Sequence, residues 1–325
     1  MKKIFITGGA GYVGSLLVPI LLKEGYLVTV YDLMIYGDTL DKHPNLKIIK
    51  ADLRNESLLS NSLQGHDVVI HLACISNDPS FELNPNLGKS INLDAFEPLV
   101  RMSKESSISL FVYASSSSVY GIKNIKDVTE EEKLEPLTDY SKYKAECEDT
   151  LQKYQSDDFA TVVIRPATVC GYSKRLRLDV VVNLLTNLAY HKREISIFGG
   201  EQLRPNIHID DMCSLYQTLL ISPKKLISGE IFNAGGDNLK VIDIANIVQE
   251  IIGKDVKLKQ IVSDDNRSYH VSSKKIYDKL GFEPKKNIRD AVQDLKKFFE
   301  QERINDSLTN KYYFNIKMMQ SINLS

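Results

Sequence analysis

Lys3-Ile4-Phe5-Ile6-Thr7-Gly8-Gly9-Ala10-Gly11-Tyr12-Val13-Gly14 decides how the chain is read. A short apolar run, Lys3 to Thr7, has the composition of a buried strand. Glycines at 8, 11 and 14 then fall in a turn where side chains would block a pyrophosphate, and the apolar stretch that follows has helical spacing. The amino terminus of that helix faces whatever anion the turn admits. Glycines also make plain turns, so the position decides. Strand, glycine turn and helix are followed by Asp32 at the end of a second β-branched run, within the roughly 20-residue spacing of a ribose-binding acid.

Asp32 narrows the ligand. A carboxylate accepts hydrogen bonds from both ribose hydroxyls and repels a 2′-phosphate, and no Arg or Lys follows it at Leu33 or Met34. NAD is therefore expected rather than NADP. Asp32 as a mere strand-end cap is the plainer alternative.

Beyond this unit the same rhythm repeats. Tyr26 to Tyr31, Leu46 to Lys50, Asp67 to Leu72, Leu110 to Ala114 and Ala160 to Ile164 read as strands with helical patterns between them. Strands apolar along both faces, alternating with helices, predict an α/β fold: a Rossmann-like doubly wound parallel sheet with a smaller C-terminal lobe. The boundaries expected are 1–165 for the NAD-binding domain, 166–302 mainly for the substrate lobe, and 303–325 for a tail that docks or is disordered. Helical patterns at Ile209 to Leu220, Val241 to Ile252 and Ile288 to Glu300 are expected to frame the lobe. Pro19 is expected to kink the first helix or loosen its last turns.

Composition excludes other classes. The 325 residues are 43% hydrophobic and 26% charged, enough for a large core, and 41 Lys plus Arg against 42 Asp plus Glu leave no field to hold nucleic acid or a membrane surface. No apolar run approaches the roughly 20 residues of a membrane span, and no signal-peptide pattern follows Met1, so a cytoplasmic address is expected. Cys74, Cys147, Cys170 and Cys213 lack metal-site spacing and read as buried apolar side chains, and no metal is expected.

The chemistry rests on a second constellation. Tyr140 and Lys144, four residues apart on a helix, share one face, so the ammonium can favour the phenolate and make Tyr140 an acid/base. A chance surface pair is the alternative. Upstream, Leu110 to Ala114 runs into Ser115-Ser116-Ser117-Ser118 at the carboxyl edge of the sheet, where such folds bind ligands.

With these motifs on the page, the chain from Met1 to about Phe299 resembles the extended short-chain dehydrogenases that modify nucleotide-sugars. The resemblance is carried by the glycine turn, Ala51-Asp52-Leu53-Arg54, His71-Leu72-Ala73-Cys74, Ile91-Asn92, the serine run, Tyr140 with Lys144, and Arg165-Pro166. It implies a cofactor site of Gly8, Gly11, Tyr12, Val13, Gly14, Asp32 and Leu33, with Asp52 and Leu53 at the adenine and Leu72 and Ala73 at the adenosine ribose. Asn92, Ala114, Tyr140 and Lys144 complete that site, and Ser116 is implied as hydroxyl partner of Tyr140. Ser76, Ser117, Ser118, Arg204 and Arg267 are implied as substrate contacts, the two arginines at the diphosphate. His208 reads as a helix cap, and Lys174, Arg175 and Arg177 as a basic loop that either closes over substrate or lies in solvent. Relatives dimerise through two long helices, here matched by Pro85 to Lys104 and Thr138 to Tyr154, so a homodimer through a four-helix bundle is implied.

Three departures refine the reading. Dehydratases of this family follow the catalytic hydroxyl with an Asp-Glu pair, whereas this chain has Ser117 and Ser118, so elimination is disfavoured. Thr168 stands where many relatives carry an Asn on the diphosphate, and Asn183 is the candidate substitute. C4 oxidation with release of the 4-keto sugar and C4 epimerisation both remain. Val169 to Ser173, Leu178-Asp179 and Arg204 to His208 resemble capsule-cluster dehydrogenases similar to the 4-dehydrogenase of GDP-manno-heptose, which favours release. A catalytically dead NAD-sensing regulator would have lost the Ser116, Tyr140 and Lys144 set, and all three are present.

Overall fold

The computed structural model describes residues 2–123, 125, 127–262, 270–322 and 324. Arg267 lies outside them. Strands β1 (Lys3–Thr7), β2 (Leu27–Asp32), β3 (Leu46–Lys50), β4 (Val68–His71), β5 (Leu110–Ala114) and β6 (Ala160–Pro166) form where the apolar runs predict them. Beyond them come β7 (Thr168–Cys170), β8 (Glu194–Phe198), β9 (Leu203–His208), β10 (Glu230–Ala234), β11 (Asn238–Lys240) and β12 (Lys257–Ile261).

The central sheet runs β10-β6-β5-β4-β1-β2-β3, every pair parallel. Every residue of β4 is buried and nearly every residue of β1, β5 and β6, as a sheet covered on both faces requires. From β1 the chain winds one way to β2 and β3, then returns past β1 to β4, β5 and β6. The loops after β1 and β4 therefore diverge, and the crevice between them is where a doubly wound sheet admits ligand.

Several parts of the 166–302 segment belong with the sheet rather than the lobe. β10 extends the sheet beside β6, and the helix Ile209–Ile221 packs Met212, Leu215, Tyr216 and Leu219 into the same core as Leu17, Val18 and Leu21 of the helix Gly14–Lys23. The lobe itself is the sheet β11-β9-β7, the pair β12-β8 and the helices around them. Local pattern could not assign these elements because a helix facing either core has the same 3.6-residue period.

Pro19 does not end its helix, which runs through to Lys23 with Leu17, Val18, Leu21 and Leu22 buried. The segment expected as one helix from Pro85 is broken into Pro85–Lys89, a π-helical turn Ser90–Asp94 and Phe96–Glu105. The wide turn is held by Asn92, whose amide brackets Ile75 by accepting from its N–H at 2.8 Å and donating to its carbonyl at 2.9 Å. Among the described residues of the tail, Lys311–Tyr313 forms a 3₁₀ turn and Asn315–Ser321 a helix, with Met319 and Leu324 against Ile75, Leu87 and Ile91. Among the described residues no helix is long and apolar enough to cross a membrane.

Candidate active site

The crevice is one continuous cleft of roughly 480 Å³. At its sheet end Gly8 has φ +72°, and a Cβ there would stand 2.5 Å from the Ala73 nitrogen; one at Gly14 would stand 2.4 Å from the Gly9 carbonyl oxygen. A larger residue at Gly8 would push the loops after β1 and β4 apart, and one at Gly14 would push the first helix away from the glycine turn. Ala73 thus backs the glycine turn, while Leu72 faces the cleft with Gly8, Gly11, Tyr12, Val13 and Gly14. Tyr12 also ties the turn to the lobe, its hydroxyl donating to Gly171 O at 2.6 Å.

Asp32 accepts the Ala10 N–H at 3.0 Å through one oxygen and the Met34 N–H at 2.7 Å through the other. Burial raises its pKa, opposed by those two donors and by the Arg175 charge. Leu33 follows, half-buried. Asp52 is bound by the Arg54 guanidinium at 2.6 Å, and Leu53 is buried in the core under the sheet. His71 links β4 to β1 through Thr7 at 2.7 Å and stays neutral, its pKa pushed down to about 3 by burial and by Lys144.

The reactive end is built by β5 and the helix Asp139–Tyr154. Thr138 caps that helix in a box with Ser141, which fixes where its first turn presents Tyr140. Lys144 is buried beneath, donating to Ala114 O at 2.7 Å, with its ammonium 5.9 Å from the Tyr140 ring centroid. Burial raises the Tyr140 phenol well above 10.0, Cys74 and Asp78 add to the rise, and Arg177 and a hydrogen bond with Ser116 oppose it. Burial is the largest of these influences, and it favours the neutral phenol. Ser116 accepts the Ser118 N–H at 3.1 Å and lies 2.8 Å from the Ser118 hydroxyl, in a 3₁₀ turn that follows β5.

Ser76, Ala114, Ser116, Ser117, Ser118, Tyr140 and Arg204 all face this cleft, although Ser117 is almost fully buried. Two sequence assignments move elsewhere. Asn183 is wholly buried, and its amide is committed to Gly171, the Tyr12 hydroxyl and Arg177 O, so no atom remains for substrate. Asn92 holds Ile75 instead of lining the cleft. His208 caps its helix, its Nδ1 accepting the Asp210 N–H at 3.1 Å.

The structure also adds residues. Cys74, Tyr36, Asp78 and Asp179 face the cleft, so Cys74 is not a core side chain like the other three cysteines. Of the basic loop, Lys174 pairs with Asp41 at the surface, whereas Arg175 and Arg177 turn inward to line the cleft. Asp78 carries no local motif, and Asp179 stands in the sequence only within Leu178-Asp179; loops distant in sequence converge to bring both to the cleft.

The family described as NAD dependent epimerase/dehydratase matches residues 4–235. The uncharacterized UDP-glucose epimerase YtcB of Bacillus subtilis is 30% identical over 336 residues, covering 98% of this chain and 99% of that protein. The uncharacterized protein y4nG of Sinorhizobium fredii is 32% identical over 219 residues, 66% of this chain, and the match spans only 52% of that longer protein. The UDP-glucuronic acid 4-epimerase of Bacillus cereus, solved with UDP-glucuronic acid and NAD, superposes with a TM-score of 0.83 at 26% identity, over 92% of this chain and 99% of that one. The residues present fit that cofactor. The glycine turn has no room for a Cβ at Gly8 or Gly14, the helix Gly14–Lys23 directs its amino terminus to the cleft, and Asp32 is held at the end of β2 by the Ala10 and Met34 N–H groups. The cofactor is NAD, and with the match covering well over half its length this chain belongs to the NAD dependent epimerase/dehydratase family of nucleotide-sugar enzymes.

Proposed function

We propose that the protein oxidises C4 of a nucleotide-sugar and releases the 4-keto sugar nucleotide. NAD, when bound, supplies the hydride acceptor. Tyr140 takes the C4 hydroxyl proton, Ser116 holds the phenol oxygen and the sugar hydroxyl in line, and Lys144, anchored on Ala114 O, stabilises the anion that forms. Burial favours the neutral phenol, and a positive charge held in the cleft would favour its anion.

Ser117 and Ser118 carry the choice against dehydration. They stand where an elimination would need one carboxylic acid and one carboxylate. The carboxylates that line the cleft among the described residues do not replace that pair. Asp179 is held by Arg177 at 2.9 Å and by the Asn315 N–H at 2.9 Å, and its lowered pKa leaves it without a proton to give. Asp78 accepts the Thr138 hydroxyl at 2.6 Å. The assignment of the sugar as a manno-heptose on GDP, in capsular or surface polysaccharide synthesis, rests on sequence resemblance alone. A 4-epimerase is the second reading, favoured by the activity named for two of the relatives.

Mass spectrometry of the product from candidate GDP-, UDP-, CDP- and dTDP-sugars separates these readings. The expected product is a sugar nucleotide lighter by one pair of hydrogens. Unchanged mass with inverted C4 would establish the epimerase, and loss of one water would overturn the reading of the two serines. We also propose a homodimer through the helices Phe96–Glu105 and Asp139–Tyr154, which lie side by side with Lys104 donating to Tyr154 O at 2.8 Å. Light scattering at micromolar concentration is expected to give twice the chain mass, and a monomer would refute it.

A further inference from the structure

Asn315 begins the last helix and is almost wholly buried, 2% exposed. Its side-chain oxygen accepts from the Tyr36 hydroxyl at 3.1 Å and from Nη2 of Arg175, and its side-chain nitrogen donates to Ser76 Oγ at 2.8 Å and to Ser76 O at 3.2 Å. Its backbone N–H donates to Asp179 at 2.9 Å. Three loops therefore meet on one residue of the C-terminal segment: Tyr36 follows β2, Ser76 follows β4, and Arg175 and Asp179 follow β7.

The strand order turns this junction into a bridge. β1 lies between β4 and β2, so a link from Ser76 to Tyr36 passes across the carboxyl end of β1, where the glycine turn sits. On the other side the Arg175 N–H donates to Ser15 Oγ at 3.1 Å, in the first turn of the helix Gly14–Lys23, while Ala73 of the loop after β4 backs Gly8. A ring thus runs from the glycine turn through Ala73, Ser76, Asn315, Arg175 and Ser15 back to Gly14, and Gly8, Gly14, Ser76 and Arg175 line one cleft. A dinucleotide seated on the glycine turn reaches along the sheet edge to both sides of it, so the ring closes around its middle.

The C-terminal segment is the part of the ring built to open. Its near end is anchored in the lobe, where Ile304 is buried with Leu176, Leu178 and Leu295 and the Leu178 N–H donates to Tyr313 O at 2.9 Å. Its far end rests on a small satellite cluster, Met319 and Leu324 over Ile75, Leu87 and Ile91. A segment with few buried apolar contacts at one end opens from that end first.

We propose that the C-terminal segment is a clasp over bound NAD, with Asn315 as its latch. The helix Asn315–Ser321 lifts from Ser76 and Ile75 to let the cofactor pass, whichever reaction follows. A gate slows entry and release alike, whereas losing a ligand contact changes mainly release. Stopped-flow fluorescence of NADH mixed with the full chain reads both rates. Asn315→Leu is expected to raise entry and release each by roughly tenfold or more, the scale of one hydrogen bond to a charged group, with the equilibrium affinity changed less than either rate. Met319→Ala loosens the far anchor without altering the cleft wall, and it is expected to raise both rates by a smaller factor. It carries the test should Asn315→Leu not fold. Unchanged rates in both variants overturn the clasp, and so does a rise confined to release, because a damaged site loses its ligand faster but does not admit it faster.

Discussion

Tyr140→Phe is expected to retain the fold and NAD binding while losing at least about 100-fold in turnover, the scale on which a positioned acid/base contributes. The substitution removes one oxygen. The ring stays packed near Phe81 at 6.5 Å between centroids, and the capping box of Thr138 and Ser141 is untouched, so the scaffold has no reason to move. What is lost is the group that exchanges the C4 hydroxyl proton, and Ser116, whose hydroxyl is already engaged with Ser118, is a poor replacement at an ordinary hydroxyl pKa. Single-turnover kinetics with NAD in excess, alongside a cofactor titration, read the two effects separately. Turnover within a few-fold of the parent would remove Tyr140 from the mechanism.

Arg165→Ala is expected to lower the unfolding free energy by about 3–5 kcal/mol, the cost of leaving one member of a buried ion pair alone. Both side chains are almost wholly enclosed, 4% and 3% exposed, with the shortest N to O distance 2.6 Å. Glu148, on the helix that carries Tyr140 and Lys144, also receives the Ser115 hydroxyl at the end of β5. The pair thus fixes the catalytic helix against the serine turn and β6. Stability should be measured by denaturant titration, with Glu148 left without its cationic partner. A loss below about 1 kcal/mol, the range of exposed pairs, would show that the network does not clamp the helix. The effect on turnover should follow from displacement of the helix, since Arg165 does not line the cleft.

Local residue pattern alone makes legible the central strands β1 to β6, the glycine turn and the acid after it, and the serine run with Tyr140 and Lys144. Each is set by contacts within one strand, one turn or one helix, where residue period and side-chain size act directly. Gly8 and Gly14 are legible for that reason: only the smallest residue fits against a neighbouring backbone. Tertiary structure decided the rest. It placed β10 and the helix Ile209–Ile221 in the main layer, spent Asn183 on Gly171 and Asn92 on Ile75, and buried the Tyr140 phenol, which raises its pKa. The same convergence turned Arg175 inward and brought Asn315 to Ser76 across 239 positions of sequence. Burial, electrostatic pairing and hydrogen-bond commitment are properties of which segments meet, and no period along the chain encodes the meeting of a loop after β7 with a residue in the C-terminal segment.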